Sequence, residues 1–328
     1  MEVPAGDRRV QAMAVQCYPG HTGKKRLLRL GLRAAAASGL LARMFPARPF
    51  AAMGLDAGFM AAWIEEMCGA TGAAALHPLI VWPGDPDRGR LYAHLIDDTG
   101  QALAFAKLAL DEHNAALIRH EAETLRTLAA MRLKLARLPT VVAAGATRGA
   151  EFLTVTCAPR TARASDWQVD PPVDSIVAEF AGEERTIRPD DADARPWFPA
   201  MRGFYRDKPD LQQAIDGAAR DGIRVRRIHG DMNRTNVLRD GDDTWLLDWE
   251  RSAAAGPAWA DPLCMALDAL AKCHPGDPGA MLAGIRAKLA PDGGRDAECE
   301  MALALAYLGF AGFPDAKQVL EHWAADVE

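Results

Sequence analysis

The chain lacks most of the features that mark a specialised environment. Its six cysteines lie scattered at 17, 68, 157, 264, 273 and 299, and no two form a CxxC pair. That removes the usual zinc knuckle and gives no disulfide framework, so a reducing cytoplasm is the simplest compartment. No apolar run approaches the ~18 residues of a membrane span. The early Ala/Leu-rich stretch is broken by Arg29, Arg33 and Arg43, so no signal peptide is expected there. There is no basic excess either: 38 Lys and Arg stand against 44 Asp and Glu, a net charge of -6. Nucleic acid, which favours a basic face, is therefore not an expected partner. What remains is a chain of 328 residues, 49% hydrophobic and 25% charged. That is ordinary for a globular protein and long enough for one two-lobed unit or two domains.

Against this background the segment 228–250, IHGDMNRTNVLRDGDDTWLLDWE, stands out. His229-Gly230-Asp231 leads, and Asn236 follows five residues after the aspartate. A short DGDD turn and an apolar strand, Trp245-Leu246-Leu247, then deliver Asp248-Trp249-Glu250. Phosphoryl transfer asks for few protein groups: a carboxylate to orient the attacking hydroxyl, and an amide oxygen plus a second carboxylate to hold magnesium against the phosphates. Asp231, Asn236 and Asp248 have that chemistry in that order. Either half alone reads equally well as a polar turn; the two joined by a hairpin do not.

HGDxxxxN followed by a hydrophobic strand and DWE resembles the aminoglycoside phosphotransferase and choline kinase family of small-molecule kinases. The resemblance covers roughly residues 76 to 270. It implies an α+β, protein-kinase-like fold of two lobes: an antiparallel five-stranded N-lobe sheet with one helix, then a mainly helical C-lobe. It implies Asp231 as catalytic base, His229 as a brace for the catalytic loop, and Asn236 and Asp248 as metal ligands. The implied cofactors are ATP or GTP with Mg2+, and the implied partner is a small molecule bearing a hydroxyl.

The pattern of apolar residues leads to the same order of parts. Helices are expected over 24–45 and 57–67, then strands over 79–82, 91–96 and 102–110 separated by turn-rich segments. A helix over 114–128, with Asn114 as its N-cap, precedes two strands over 139–144 and 152–156. Domain boundaries fall at a helical extension 1–75, an N-lobe 76–158 and a C-lobe 159–328. Residues 179–195 read as a charged surface excursion. Residues 262–323 read as helical, with breaks near 275–278 and 291–294.

Within the N-lobe Lys107 sits in an otherwise apolar strand, where a kinase needs a lysine for the nucleotide phosphates. Glu121, on the apolar helix face, is the expected partner, with Glu123 the runner-up. Cys157 and Ala158 fall where the resemblance places the adenine-binding connection between lobes. The chain departs from protein kinases in having no GxGxxG; residues 82–89 offer Gly84, Arg88 and Gly89 but also Asp85 and Asp87, and read as a solvated hairpin tip. Asp261 before Pro262 is expected to cap a helix. Glu250, Trp249 and the acidic 179–193 stretch would suit a cationic acceptor, although Trp249 also reads as packing. Trp197 and Tyr205 read as core. The basic helix 24–45 permits peripheral contact with an anionic membrane. Other classes stay open: a pseudokinase that binds nucleotide without transfer, a kinase for a larger envelope glycan or lipid-linked acceptor, and a protein kinase. The missing APE motif weighs against the last.

Overall fold

A computed structural model of the chain describes Val15, Leu55 and residues 23–40, 57–81, 89–165, 173–289 and 294–327. They divide into two compact units. The first takes in the described residues up to Ala130 together with Leu138–Ala162, and the second Met131–Arg137 with the residues from Arg163 onward.

In the first unit helix α1 (Gly23–Ala37) stops earlier than its sequence pattern suggests. Gly39 takes a left-handed φ of 75°. Leu40 N–H then turns back to the Ala35 carbonyl at 2.9 Å, which closes the helix with a glycine. Helix α2 (Ala57–Thr71) runs a turn beyond Met67, where the Thr71 hydroxyl bonds the Met67 carbonyl, and it ends at Gly72. Strands β1 (His77–Val81), β2 (Arg90–Ile96) and β3 (Ala102–Ala109) follow, then α3 (Glu112–Ala129), and β5 (Val141–Thr147) and β6 (Ala150–Thr156) after the short β4 (Ala136–Arg137) of the second unit. The five strands pair antiparallel in the order β1-β2-β3-β6-β5. This is the sheet-plus-helix arrangement the sequence leads one to expect.

The period of two decides what each face does. Leu91, Ala93 and Leu95 of β2 and Ala104, Ala106 and Leu108 of β3 pack against Phe59, Trp63 and Met67 of α2. The alternate positions Tyr92, His94, Phe105 and Lys107 are left to the opposite face. Lys107 lies on the central strand, in register with Tyr92 and Leu153. The N-cap of α3 is Asp111, not Asn114: Asp111 is extended, and its carboxylate accepts the Asn114 N–H at 2.7 Å. Asn114 points inward instead and is buried.

The second unit contains β4, β7 (Arg163–Ala164), α4 (Val173–Ala181), β8 (Arg185–Ile187), α5 (Phe198–Phe204), α6 (Pro209–Ala218), β9 (Ile223–Ile228), β10 (Val237–Asp240), β11 (Asp243–Leu246) and β12 (Ala253–Pro257). Four helices close it: α7 (Ala260–Cys273), α8 (Pro278–Leu289), α9 (Arg295–Phe310) and α10 (Pro314–Val327). Its small sheets run β4-β11-β10-β7 and β12-β9-β8. The 179–195 stretch is not a simple surface excursion. Phe180 and Ala181 are buried on α4, and β8 pairs with β9 and buries Ile187. Three residues are too few for a strand to declare its period in sequence. The helical region has a further break at Gly312, whose φ is 97°. Trp197 and Tyr205 are core residues whose polar atoms donate to the carbonyls of Ala255 and Ala306 at 2.8 and 3.1 Å. No helix among the described residues is long and apolar enough to cross a membrane. The side chains of Lys24, Lys25, Arg26 and Arg29 lie outside the described residues.

His94 gives the first unit a pH dependence. Its ring packs against Phe105 with centroids 5.1 Å apart, and its Nδ1 is buried without a partner. Burial, helped by the charge of Arg160, lowers its pKa from 6.5 to about 4. The unfolded chain therefore takes up this proton more readily than the folded one, and stability is lost as pH falls from about 6.5 towards 4, by at most roughly 3 kcal/mol from this group. The urea midpoint should fall between pH 7 and pH 5 in the wild type and fall less in His94→Leu. Equal pH slopes for the two proteins would contradict this reading.

Candidate active site

The first unit contributes a buried ion pair. Lys107 Nζ lies 2.5 Å from Glu121 Oε2, and their side chains are only 6% and 3% exposed. The helix geometry selects Glu121: it shares a buried stripe with Asn114, Ile118 and Leu125, whereas Glu123, two residues on, points to solvent. A lysine so placed needs its counter-charge, because an unpaired ammonium in an apolar interior is strongly disfavoured. Cys157 and Ala158 follow β6 directly and are half-buried. Residues 82–88 lie outside the described residues.

The second unit builds the HGD turn on the end of β9. Gly230 has a φ of 78°, and a Cβ there would stand 2.1 Å from the Arg251 carbonyl oxygen, so only glycine fits. Asp261 does not cap a helix. The helix starts after Trp259, and the fully buried Asp261 carboxylate accepts the N–H of His229 at 2.7 Å and of Gly230 at 2.9 Å. Burial raises the pKa of Asp261, while those hydrogen bonds and the nearby His229 and Arg226 oppose the rise.

His229 is enclosed and fixed by both ring nitrogens. Nε2 lies 2.9 Å from the Leu247 carbonyl, which can only accept, and Nδ1 lies 3.3 Å from the Asp231 N–H, which can only donate. The hydrogen therefore belongs on Nε2. The ring packs against Trp249 with centroids 4.4 Å apart, and Phe180 meets the indole edge-on at 5.0 Å. Trp249 is wholly buried, so its role is packing and it offers no surface to an acceptor.

Asp231, the carboxylate of the turn, is half-buried. Its Oδ1 accepts the Asn233 amide at 2.7 Å. Burial raises its pKa first of all; Asp248 adds repulsion, while Asn233, His229 and Arg251 oppose it. Asn233 escapes a sequence reading, yet its Oδ1 also collects Thr235 N–H at 2.8 Å and its hydroxyl at 2.5 Å, which rigidifies the loop. The clue was an Asx residue two places after the aspartate, a common loop former.

Asn236 and Asp248 come together through the hairpin of β10 and β11. Val237 pairs with Leu246, and the Leu247 N–H bonds the Asn236 carbonyl at 2.8 Å, which brings the two open ends of the hairpin side by side. Asn236 commits its amide N–H to the Asp231 carbonyl at 3.0 Å, which leaves Oδ1 as an oxygen donor. Asp248 holds a left-handed φ of 66°, a conformation aspartate tolerates better than most residues and one that clusters at functional sites. Its carboxylate comes within 4.8 Å of that of Glu250, which is buried. An amide oxygen and two close carboxylates form the hard oxygen set that suits magnesium.

The chain thus combines an antiparallel sheet and helix carrying a buried Lys–Glu pair with a mainly helical unit carrying an Asp-Asn-Asp loop. No protein-family model matches the sequence, and no curated protein matches it. Solved structures do. An ADP-bound aminoglycoside phosphotransferase, APH(2'')-Ib, is 13% identical over 82% of this chain and 98% of its own, with a TM-score of 0.45. A spectinomycin phosphotransferase in complex with ADP and spectinomycin is 12% identical over 80% and 93%, TM-score 0.41. A glucosamine kinase is 15% identical over 77% and 90%, TM-score 0.33. The roles of individual residues rest on their own geometry.

The buried pair makes a sharp thermodynamic prediction. Glu121→Leu alone should cost about 3 kcal/mol or more, because it strands the Lys107 ammonium, whereas Lys107→Met with Glu121→Leu should recover most of the loss. Urea denaturation of the two variants measures this. A single variant as stable as the wild type would mean the pair is not buried as described.

Proposed function

We propose that the chain is a nucleotide- and Mg2+-dependent phosphotransferase that moves the terminal phosphate of ATP or GTP to a hydroxyl of a small molecule. The observation that supports this best is the locked loop around Asp231. Its carboxylate is half-buried, its backbone is fixed through Asp261 and His229, and Asn236 and Asp248 are brought beside it by one hairpin.

Each residue then has a task. Lys107, held by Glu121, grips the nucleotide phosphates. The backbone at Cys157 and Ala158 receives the base. Asn236 and Asp248 would hold magnesium, with Glu250 close enough to support Asp248. When bound, the ion neutralises phosphate charge and orients the terminal group. Asp231 accepts a hydrogen bond from the acceptor hydroxyl. As the oxygen attacks the terminal phosphorus in line, the bond to the nucleotide diphosphate breaks and the hydroxyl proton passes to the Asp231 carboxylate. His229 touches no reactant in this scheme; it holds the loop.

For the acceptor, a neutral sugar or similar polyhydroxyl metabolite fits better than a polycation. Half of the acidic residues of 179–193 are already engaged: Glu179 accepts the N–H groups of Lys134, Leu135 and Ala136, Glu184 pairs with Arg224, and Asp193 pairs with Arg185, while Glu183, Asp190 and Asp191 are exposed. With Trp249 wholly buried, the sequence-based case for a cationic acceptor loses its aromatic support and part of its acidic one. Among the described residues the five cysteines are free thiols.

Asp231→Asn should lower kcat by about 10²–10⁴-fold while nucleotide affinity stays near wild type. Asp248→Asn should weaken Mg2+-dependent nucleotide binding itself. Calorimetric titration of nucleotide with and without Mg2+, paired with ATP consumption on a pooled panel of sugars, aminoglycosides and amino alcohols, separates the two. Full turnover in Asp231→Asn would sink the assignment, and Mg2+-dependent binding without turnover of any acceptor would favour a pseudokinase.

A further inference from the structure

Beside the more exposed Arg119–Glu151 pair, two buried polar contacts fasten helix α3 to the sheet, and one of them does not involve the lysine. Asn114 and Glu121 lie seven residues apart, two helical turns and so roughly 10.5 Å along one face. Both are buried, and the side chains between them on that face, such as Ala115 and Ile118, are apolar. Glu121 meets Lys107 of β3. Asn114 meets Arg90, the first residue of β2: Arg90 Nε donates to Asn114 Oδ1 at 2.6 Å, and Arg90 is only 5% exposed.

The contact extends to the helix cap. Asn114 Nδ2 donates to both oxygens of Asp111, at 2.9 and 2.8 Å, while Asp111 Oδ1 also takes the Asn114 N–H. Gly89, next to Arg90, closes the arrangement. Its carbonyl accepts the Leu110 N–H at 2.8 Å, and a Cβ at Gly89 would stand 1.7 Å from Asp111 Oδ2. Gly89 also has a left-handed φ of 65°. A guanidinium, an amide and a capping carboxylate thus connect the start of β2 to the first turn of α3 in a single bonded chain.

Apolar packing alone tolerates sliding and rotation of a helix over a sheet, because dispersion contacts are non-directional; a buried bidentate or fork-like hydrogen bond does not. The Lys107–Glu121 contact at 2.5 Å needs the helix in one register and rotation. We propose that Arg90 is a positioning residue: acting through Asn114 and Asp111, it sets the register of α3 so that Glu121 presents its carboxylate to Lys107. Arg90 touches no substrate in this role. The sequence gives it no motif, because an arginine at the head of a strand reads as a solvent-facing edge residue.

The inference rests on the phosphate-gripping role proposed for Lys107, so the test reads the lysine directly, with the full-length protein and no nucleotide. The rate of Lys107 acylation by a lysine-selective ester is followed by peptide mass mapping, with Glu121→Gln as the reference for a released lysine. Arg90→Met should raise that rate towards the Glu121→Gln value, by about fivefold or more, because a lysine that loses its carboxylate in an apolar site more readily gives up its proton. The double variant should react no faster than Glu121→Gln alone. Asn114→Leu, which removes both the acceptor for Arg90 and the donor to Asp111, should raise the rate in the same sense. If Arg90→Met fails to fold, Gly89→Ala presses on the same Asp111 carboxylate and should raise the rate in the same sense. Wild-type labelling in a folded Arg90→Met or Gly89→Ala protein would overturn the proposal. Raised labelling together with an increased KM for nucleotide, the acceptor KM unchanged, would support it and the role of Lys107. Raised labelling with unaltered nucleotide binding would uphold the positioning and contradict the phosphate-gripping reading.

Discussion

The buried carboxylate of Asp261 holds the second unit's chemistry in place. The strand β9 ends where its backbone must turn sharply, and the first two N–H groups of that turn face inward. Without an acceptor each would be a buried, unsatisfied donor, costing about 1–3 kcal/mol. Asp261 satisfies both at 2.7 and 2.9 Å. The carboxylate offers one oxygen to each N–H, Oδ2 to His229 and Oδ1 to Gly230. Gly230 then lies flat against the Arg251 carbonyl, and Asp231 emerges with its direction determined.

From this anchor the other constraints follow in order. His229 spans to the Leu247 carbonyl and so joins the turn to the strand that delivers Asp248. Asn236 spans back to the Asp231 carbonyl. The loop therefore has three cross-ties, made by the side chains of Asp261, His229 and Asn236, each to a backbone group. Preorganisation of this kind is what phosphoryl transfer uses: there is little covalent work for the protein, and its contribution lies in position and charge. In the first unit the same economy appears in another form. Lys107 is placed by the alternation of β3, and Glu121 by the helical period, so a strand and a helix each contribute one half of an ion pair.

Much of this was legible in the sequence, and the reasons are local. The β2–β3 hairpin and α3 could be read because their apolar residues keep a clean period over seven or more residues. That Asn236 and Asp248 stand at the two open ends of one hairpin could be read because only a short turn and an apolar strand separate them. What could not be read depends on contacts far apart in the chain. Asp261 meets His229 from 32 residues away, and as an Asp before Pro it looks like a cap. Asp111 and Asn114 are both good N-cap residues; Asp111 takes the cap, and the Asn114 side chain meets Arg90, 24 residues before it. Residues 179–195 read as solvated because their charges are many; several stay exposed in the fold, but Phe180 and Ile187 turn inward, Glu184 pairs with Arg224, and Arg185 pairs with Asp193. Trp249 looked available to a ligand because the sequence does not reveal that Phe180 and His229 enclose it.

The central claim is direct transfer of a phosphoryl group to a hydroxyl. It is tested most directly by phosphorus-31 NMR of the wild-type protein incubated with ATP, Mg2+ and a mixture of neutral sugars and sugar alcohols. The account predicts a new phosphomonoester resonance that grows in step with ADP and is coupled to a carbon-bound proton of the acceptor. ADP accompanied only by inorganic phosphate, at a rate no acceptor alters, would contradict it.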